Sequence, residues 1–203
     1  KGVSLFLVDA ATPGFTRGQN LEKIGQHAGD TSELFFNDMR VPLDALLGGV
    51  EGQGFVQMMR ELPRERLIIG VQAVHGAKGA LDATLKYVQE RQAFGQPIGQ
   101  FQNTRFTLAQ CASDIAAAEA FLNASVAAYE RGELTPEAAS ALKLHTTEVM
   151  GRVADACLQL FGGYGYMAEY PISRFWTDAR VMRIYGGTSE IMKEIVARGL
   201  LKP

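Results

Sequence analysis

The stretch RIYGGTSEIM at 183–192 combines residue types that can hold an anion. Gly186 and Gly187 stand side by side, and backbone without a Cβ can approach a ligand closely. Thr188 and Ser189 can cap a helix running from about Glu190 towards Arg198. A capped start offers backbone N–H groups and the positive end of the helix dipole, which suits a diphosphate. The same residues also make a plain turn and N-cap with no ligand. Three other stretches carry polar residues beside turns. ELPRERL at 61–67 places Glu61 and Glu65 four residues apart, a spacing that by itself reads as a solvated charged face. RQAFGQPIGQFQ at 91–102 holds Arg91, Phe94 and Gln102, which can be a helix-end cation, a core ring and a surface amide. QLFGGYG at 159–165 holds Gly162 and Gly163, which can close a helix.

Composition excludes several other chemistries. His27, His75 and His145 are scattered without ligand spacing, so no metal site is expected. Cys111 and Cys157 both fall in Ala/Leu-rich helical stretches and read as buried thiols of a reduced compartment. GYG at 163–165 follows a helix rather than a strand, so it is not a dinucleotide fingerprint. A net charge of −2 leaves no basic footprint for nucleic acid. No apolar run reaches the ~20 residues of a membrane span.

The elements that must position these residues follow from periodicity. Residues 2–36 read as β, with apolar runs at 3–8 and 32–36 and a Pro13-Gly14 turn before residues 15–17. These strands are too few to close a sheet alone, and the chain starts abruptly at Lys1, so a longer protein with further strands is expected. From Gly52 the period becomes helical: Phe55, Met59, Leu62, Leu67, Val71 and Val74 mark a long helix to about Arg91. Its glycines invite close helix packing, and Pro63 predicts a kink by crowding the Met59 carbonyl. A turn at 93–100 leads to a second helix over about 101–131. Thr135 and Pro136 form an N-cap and first helical position for a third, which runs to about Phe161. A short segment at 172–181 precedes the 183–192 stretch and the last helix. The fold class is mainly α: an antiparallel four-helix bundle preceded by a partial β domain.

Taken together, the motifs at 91–102, 159–165 and 183–191, with Val41-Pro42 and GQGF at 52–55, resemble the acyl-CoA dehydrogenases in family order. The resemblance covers the whole chain. It implies residues 1–50 as the C-terminal part of the middle β domain and 51–203 as the C-terminal helical bundle domain. It also implies FAD-dependent α,β-dehydrogenation of an acyl-CoA thioester to the trans-2-enoyl-CoA. An acyl-CoA oxidase-like flavoenzyme and a non-catalytic helical oligomerisation module are the alternatives.

One position departs from the family's commonest pattern: Gly186 stands where most members carry the catalytic glutamate. ELPRERL resembles the long-chain and isovaleryl types, which implies that the base is Glu65 on the first bundle helix. A carboxylate beside flavin and an apolar acyl chain is desolvated, which raises its pKa towards that of a working base. Gly186 keeps the backbone N–H that the family turns towards the thioester oxygen, where charge develops. The resemblance further implies substrate contacts at Arg66, Tyr185, Gly186 and Gly187. It assigns Arg91, Phe94, Gln102, Gln159, Leu160, Phe161, Gly162 and Gly163 to the FAD of a neighbouring subunit, and Thr188, Ser189 and Glu190 to the chain's own FAD. Implied partners are an acyl-CoA, an electron-transferring flavoprotein and further copies of the chain, as a dimer or tetramer. The implied compartment is bacterial cytoplasm or mitochondrial matrix. Alanines at 73, 77, 80, 112, 116 and 120 are expected to supply the surface between copies.

Overall fold

The computed structural model describes residues 2–201. The chain divides into two compact units, Lys1–Leu62 and Pro63–Pro203. In the first, β1 (Phe15–Asn20) pairs antiparallel with β2 (Ser32–Phe36), and the register slips between Arg17 and Asn20. The run at 3–8, expected as a strand, instead makes one isolated bridge, Phe6 with Leu46. Leu7 N donates to Ala45 O and Leu47 N to Leu5 O, but Gly48 and Gly49 then turn to positive φ and the ladder stops. Leu34, Phe35 and Phe36 are about half exposed. A ribbon of two strands cannot cover both of its faces.

Five helices follow. They are α1 (Gly54–Glu90), α2 (Gln102–Glu130), α3 (Pro136–Phe161), α4 (Pro171–Met182) and α5 (Ser189–Leu200). α1 remains helical through Pro63, where the two units divide. Between α1 and α2 lies a small hairpin, β3 (Gln92–Ala93) with β4 (Gln96–Pro97). Thr135 caps α3 by accepting from Ala138 N, with Pro136 in the first turn.

Side-chain contacts fix the directions of the second unit. Arg66 meets Ser140, Gly70 faces Leu142, Gly76 faces Met150 and Tyr87 meets Phe161, so α1 and α3 run parallel. Asp114 pairs with Arg152 and Phe121 with His145, so α2 runs against α3. Trp176 bonds to Asp155, Arg183 and Ser189 both bond to Glu148, and Gly199 faces Glu137. α4 and α5 therefore run one after the other against α3. Together they make the fourth member of the bundle, broken at residues 183–188.

α3 carries the core. Leu142, Val149, Met150, Val153, Ala154 and Cys157 are all buried among α1, α2 and α4. The expectation for the alanines needs correction. Ala73, Ala77 and Ala80 are fully buried in this chain's own core, because α1 packs closely on its neighbours through Gly70, Gly76 and Gly79. Ala112, Ala116 and Ala120 of α2 are exposed.

Candidate functional site

The break in the fourth helix is a built structure. Gly186 and Gly187 take φ of 63° and 103°, which a side chain resists. There is also no room: a Cβ on Gly186 would lie 2.5 Å from Ile69 Cδ1, and one on Gly187 2.5 Å from Met192 Cε. A broken helix leaves carbonyls that must find donors. Here two cations supply them. Arg66 Nε donates to Gly186 O at 3.4 Å, and Arg66 also donates to Ser140 Oγ at 3.1 Å. Lys143 Nζ donates to Gly187 O at 2.6 Å. Both cations are buried, Lys143 completely. Glu148 then ties the two ends of the turn together, accepting from Arg183 at 3.1 Å and Ser189 Oγ at 2.8 Å.

Electrostatics follow the geometry. Burial pushes Lys143 down to about 8, and nearby Arg66 pushes the same way, against Glu148 and Glu190. Burial also lowers Arg66, and the Glu65 carboxylate opposes that shift. Burial pushes Glu148 up, but the hydrogen bonds from Ser189 and Arg183 outweigh it and hold the carboxyl low.

Where the free donors lie differs from expectation. Thr188 caps α5, accepting from Ile191 N. Ser189 N donates to Arg183 O, Met192 N to Thr188 O, and the Glu190 amide meets its own carboxylate. The helix start is thus occupied by its own chain. The Gly187 N–H closes the turn on the carbonyls that precede it, and no backbone carbonyl among the described residues takes the N–H groups of Gly186 or Thr188.

Glu65 is exposed and lies one turn before Ile69, whose Cδ1 reaches the Gly186 backbone. Residues four apart share a helix face, so Glu65 is on the side of α1 that meets the turn. Tyr185 OH donates to Gln72 at 3.4 Å, one further turn along α1. Glu65, Arg66, Tyr185, Gly186, Gly187, Thr188, Ser189 and Glu190 thus gather at the break.

The remaining sequence candidates gather elsewhere. A cleft of about 590 Å³ is lined by residues that include Tyr87, Arg91, Gly162, Gly163 and Tyr164. Gln159 and Leu160 line it, and Phe161 does so with its ring buried and stacked on Tyr87 at 4.0 Å. Arg91 lies 5.3 Å over the Tyr164 ring. No atom lies within 4 Å of where a Cβ of Gly162 or Gly163 would stand. Phe94 is 97% exposed at the tip of the β3–β4 hairpin, with φ 52° and its ring edge against Phe101. Gln102 is exposed at the start of α2. Gln159 and Lys143 both belong to α3, and sixteen residues of helix separate them by about 24 Å.

Lys143, Glu148, Tyr87 and Tyr164 were not among the sequence candidates. Lys143 had a readable signal: it falls on the apolar stripe of α3 with Ala139, Leu142, Thr146 and Met150, where a charge needs a partner. Glu148 had none, because its role depends on a turn forty residues later.

Residues 52–201 match the model of the family described as acyl-CoA dehydrogenase, C-terminal domain. The long-chain specific acyl-CoA dehydrogenase of Sus scrofa mitochondria is 46% identical over 200 residues, covering 98% of this chain and 46% of that protein. The chain thus spans about half the length of the curated relatives it matches. The crystal structure of acyl-CoA dehydrogenase from Geobacillus kaustophilus superposes with a TM-score of 0.95 at 44% identity, covering 98% of this chain and 52% of that one. A glutaryl-CoA dehydrogenase from Mycobacterium smegmatis, solved in complex with FADH2, superposes at 0.93 with 28% identity, covering 98% of this chain and 51% of its own.

Proposed function

The chain belongs to the acyl-CoA dehydrogenase family, and from that premise we propose that it is the C-terminal part of an FAD-dependent enzyme that oxidises an acyl-CoA to its trans-2-enoyl-CoA. Residues 1–50 are then the end of a β domain, whose remaining strands cover the exposed ribbon, and 51–203 the helical domain. The observation that carries the reading is the break at 183–188, with a Gly186 N–H that no backbone carbonyl among the described residues takes and buried cations on the turn's carbonyls.

The donor sets fit FAD in two parts. Arg91, the open backbone of Gly162 and Gly163, and the aromatic wall of Tyr87 and Tyr164 suit a diphosphate-bearing planar group. Phe94, Gln102, Gln159, Leu160 and Phe161 belong to the same end. Thr188, Ser189 and Glu190 belong to the break. The two ends lie about 24 Å apart along α3, and in the family reading they serve different FAD molecules, the cleft completing a site held by a second copy. Exposed Ala112, Ala116 and Ala120 make α2 the surface for such a copy.

FAD held by these residues would supply the acceptor for the hydride of the substrate β-carbon. The chain's own residues do the rest. Glu65 removes the α-proton. The Gly186 N–H meets the negative charge that grows on the thioester oxygen, and such a preorganised donor is worth roughly 10²–10³ in rate. Arg66 keeps the Gly186 carbonyl out of that oxygen's place, and Tyr185 packs the turn against α1. An electron-transferring flavoprotein is the electron acceptor, and the compartment is a bacterial cytoplasm or a mitochondrial matrix. Among the described residues no helix is long and apolar enough to cross a membrane.

The full-length flavoprotein, mixed anaerobically with saturated acyl-CoAs, is expected to lose its absorbance near 450 nm and yield enoyl-CoA. Bleaching by none of a chain-length series contradicts the reading. Rapid reoxidation by dissolved O₂ in place of a flavoprotein acceptor would identify the oxidase alternative.

A further inference from the structure

Two positions flank one side chain at the break. Glu65 stands one turn before Ile69 on α1, and Gly186 faces Ile69 from the turn. A Cβ on Gly186 would lie 2.5 Å from Ile69 Cδ1, about 1 Å inside ordinary carbon–carbon contact. Apart from the adjoining residues, no other atom among the described residues lies within 4 Å of that point. We infer that Ile69 is a positioning residue: its terminal methyl closes the space beside position 186 and so leaves α1 as the element that carries the base. The inference rests on the function proposed above, in which Glu65 is that base.

The obstacle is one atom, and its side chain has few ways to yield. Ile69 is 9% exposed, and a β-branched residue inside a helix keeps one strongly preferred χ1. The methyl can therefore turn aside only about χ2. Other glycines of the two sites differ in kind. At Gly187 a Cβ would meet Met192 Cε at 2.5 Å, the end of an unbranched chain that adapts. At Gly162 and Gly163 it would meet nothing within 4 Å. Glu65, one turn away, is exposed, so a carboxylate has room there and none at 186. Position 186 also carries a φ of 63°, which disfavours any L side chain. That backbone cost is the same whatever stands at 69, whereas the steric cost depends on one methyl group. Valine lacks only that methyl, so Ile69→Val removes the obstacle and keeps the branch at Cβ.

Two pairs of full-length flavoproteins test the contact. The first moves the carboxylate: Glu65→Gln/Gly186→Glu is compared with the same protein carrying Ile69→Val as well. A misplacement of about 1 Å near reacting atoms costs roughly 10²-fold, so Ile69→Val should speed flavin reduction by acyl-CoA roughly 10- to 10²-fold. KM and flavin content should agree within about twofold between the two, since the gain belongs to the transition state. In the otherwise wild-type enzyme Ile69→Val should bring no gain, so the effect of one substitution depends on what stands at 186. The second pair needs neither a base at 186 nor activity: Gly186→Ala, with and without Ile69→Val. Ile69→Val should lower the thermal midpoint of the wild-type fold by emptying the methyl's place. It should raise that of the Gly186→Ala protein by making room for the new Cβ. Equal shifts in the two backgrounds overturn the inference, even where the Gly186→Glu proteins fail to fold. No gain in the first pair, or the same gain in the otherwise wild-type enzyme, overturns it too. Glu65→Gln measured alone isolates the underlying reading. If that enzyme is active, Glu65 is not the base; if it is inactive and Ile69→Val brings no gain, only the role of Ile69 is refuted.

Discussion

At residues 143–148, α3 closes on a backbone turn; at 159–161 it opens onto a cleft. The first region is completed by this chain. Arg66, Lys143 and Glu148 use buried or half-buried charge to fix a turn that backbone preference alone would leave loose. In the second, an exposed arginine lies over an exposed tyrosine, two glycines face empty space and a phenylalanine is 97% exposed. Burying charge is costly unless it is paired, so the chain spends it where atoms must be held to fractions of an ångström. An open arginine costs little. Under the function proposed above, the contrast separates a site of chemistry from half of a binding site.

The largest expected effect lies at the closed end. In the full-length enzyme, Glu65→Gln should keep fold and flavin and lose 10²–10⁴-fold in the rate of flavin reduction by acyl-CoA, the typical share of a general base. Adding Gly186→Glu should restore only part of that rate. Its Cβ must displace the Ile69 methyl from 2.5 Å, and its backbone sits at φ 63°. A full return of rate would mean that the turn is less tightly held than its contacts imply.

At the open end the expected loss is in binding. Arg91→Ala should weaken flavin retention roughly tenfold, the worth of one charge-assisted contact. It should leave the rate of reduction in the remaining loaded sites unchanged. Equilibrium dialysis of flavin beside stopped-flow reduction separates the two, and a lower rate in loaded sites would merge the two ends into one function.

The last effect falls on stability rather than on function and is a pH dependence. Lys143 is held at about 8 in the folded chain against 10.5 ordinarily. Between those values the unfolded chain binds a proton that the folded one does not, so this group makes stability rise with pH across that window. Thermal unfolding of wild type relative to Lys143→Met should show the difference growing from pH 8 to 10.5 in favour of wild type. A constant difference would mean that Lys143 keeps its ordinary value despite its burial.

Much of this contrast was legible in the sequence, unevenly. Thr135 with Pro136, Thr188, and the apolar period of α1 and α3 are local signals, and they placed the helices within a few residues. The run at 3–8 has strand composition, but a strand needs a partner, and residues 45–47 give it only one bridge. The alanines of α1 and α2 look alike in sequence. One set is buried because glycines interleave with it and let helices close in; the other lies on α2, which has no such neighbour on that side. The turn at 183–188 was visible as Gly-Gly-Thr-Ser, yet the N–H groups that no backbone carbonyl takes among the described residues, those of Gly186 and Thr188, precede the first helical residue rather than follow it. That shift depends on Arg183 O and Thr188 taking the first donors of α5, a tertiary closure no local pattern announces. Lys143 lay on the buried stripe and was open to detection; Glu148 was not.

Complementation between a variant lacking the base and a variant that retains flavin poorly tests the division most directly. Full-length Glu65→Gln and Arg91→Ala proteins are dissociated, mixed and reassembled with limiting flavin, and the rate of reduction by acyl-CoA is read at 450 nm. If the cleft serves a second copy's flavin, each mixed pair contains one site with an intact Glu65 from one chain and an intact Arg91 from the other. The mixture should then retain flavin and reduce it faster than either parent. If both ends serve the same flavin within one chain, every site in the mixture carries a lesion. A mixture no better than the average of its parents would contradict the separation of closed chemistry from open half-site.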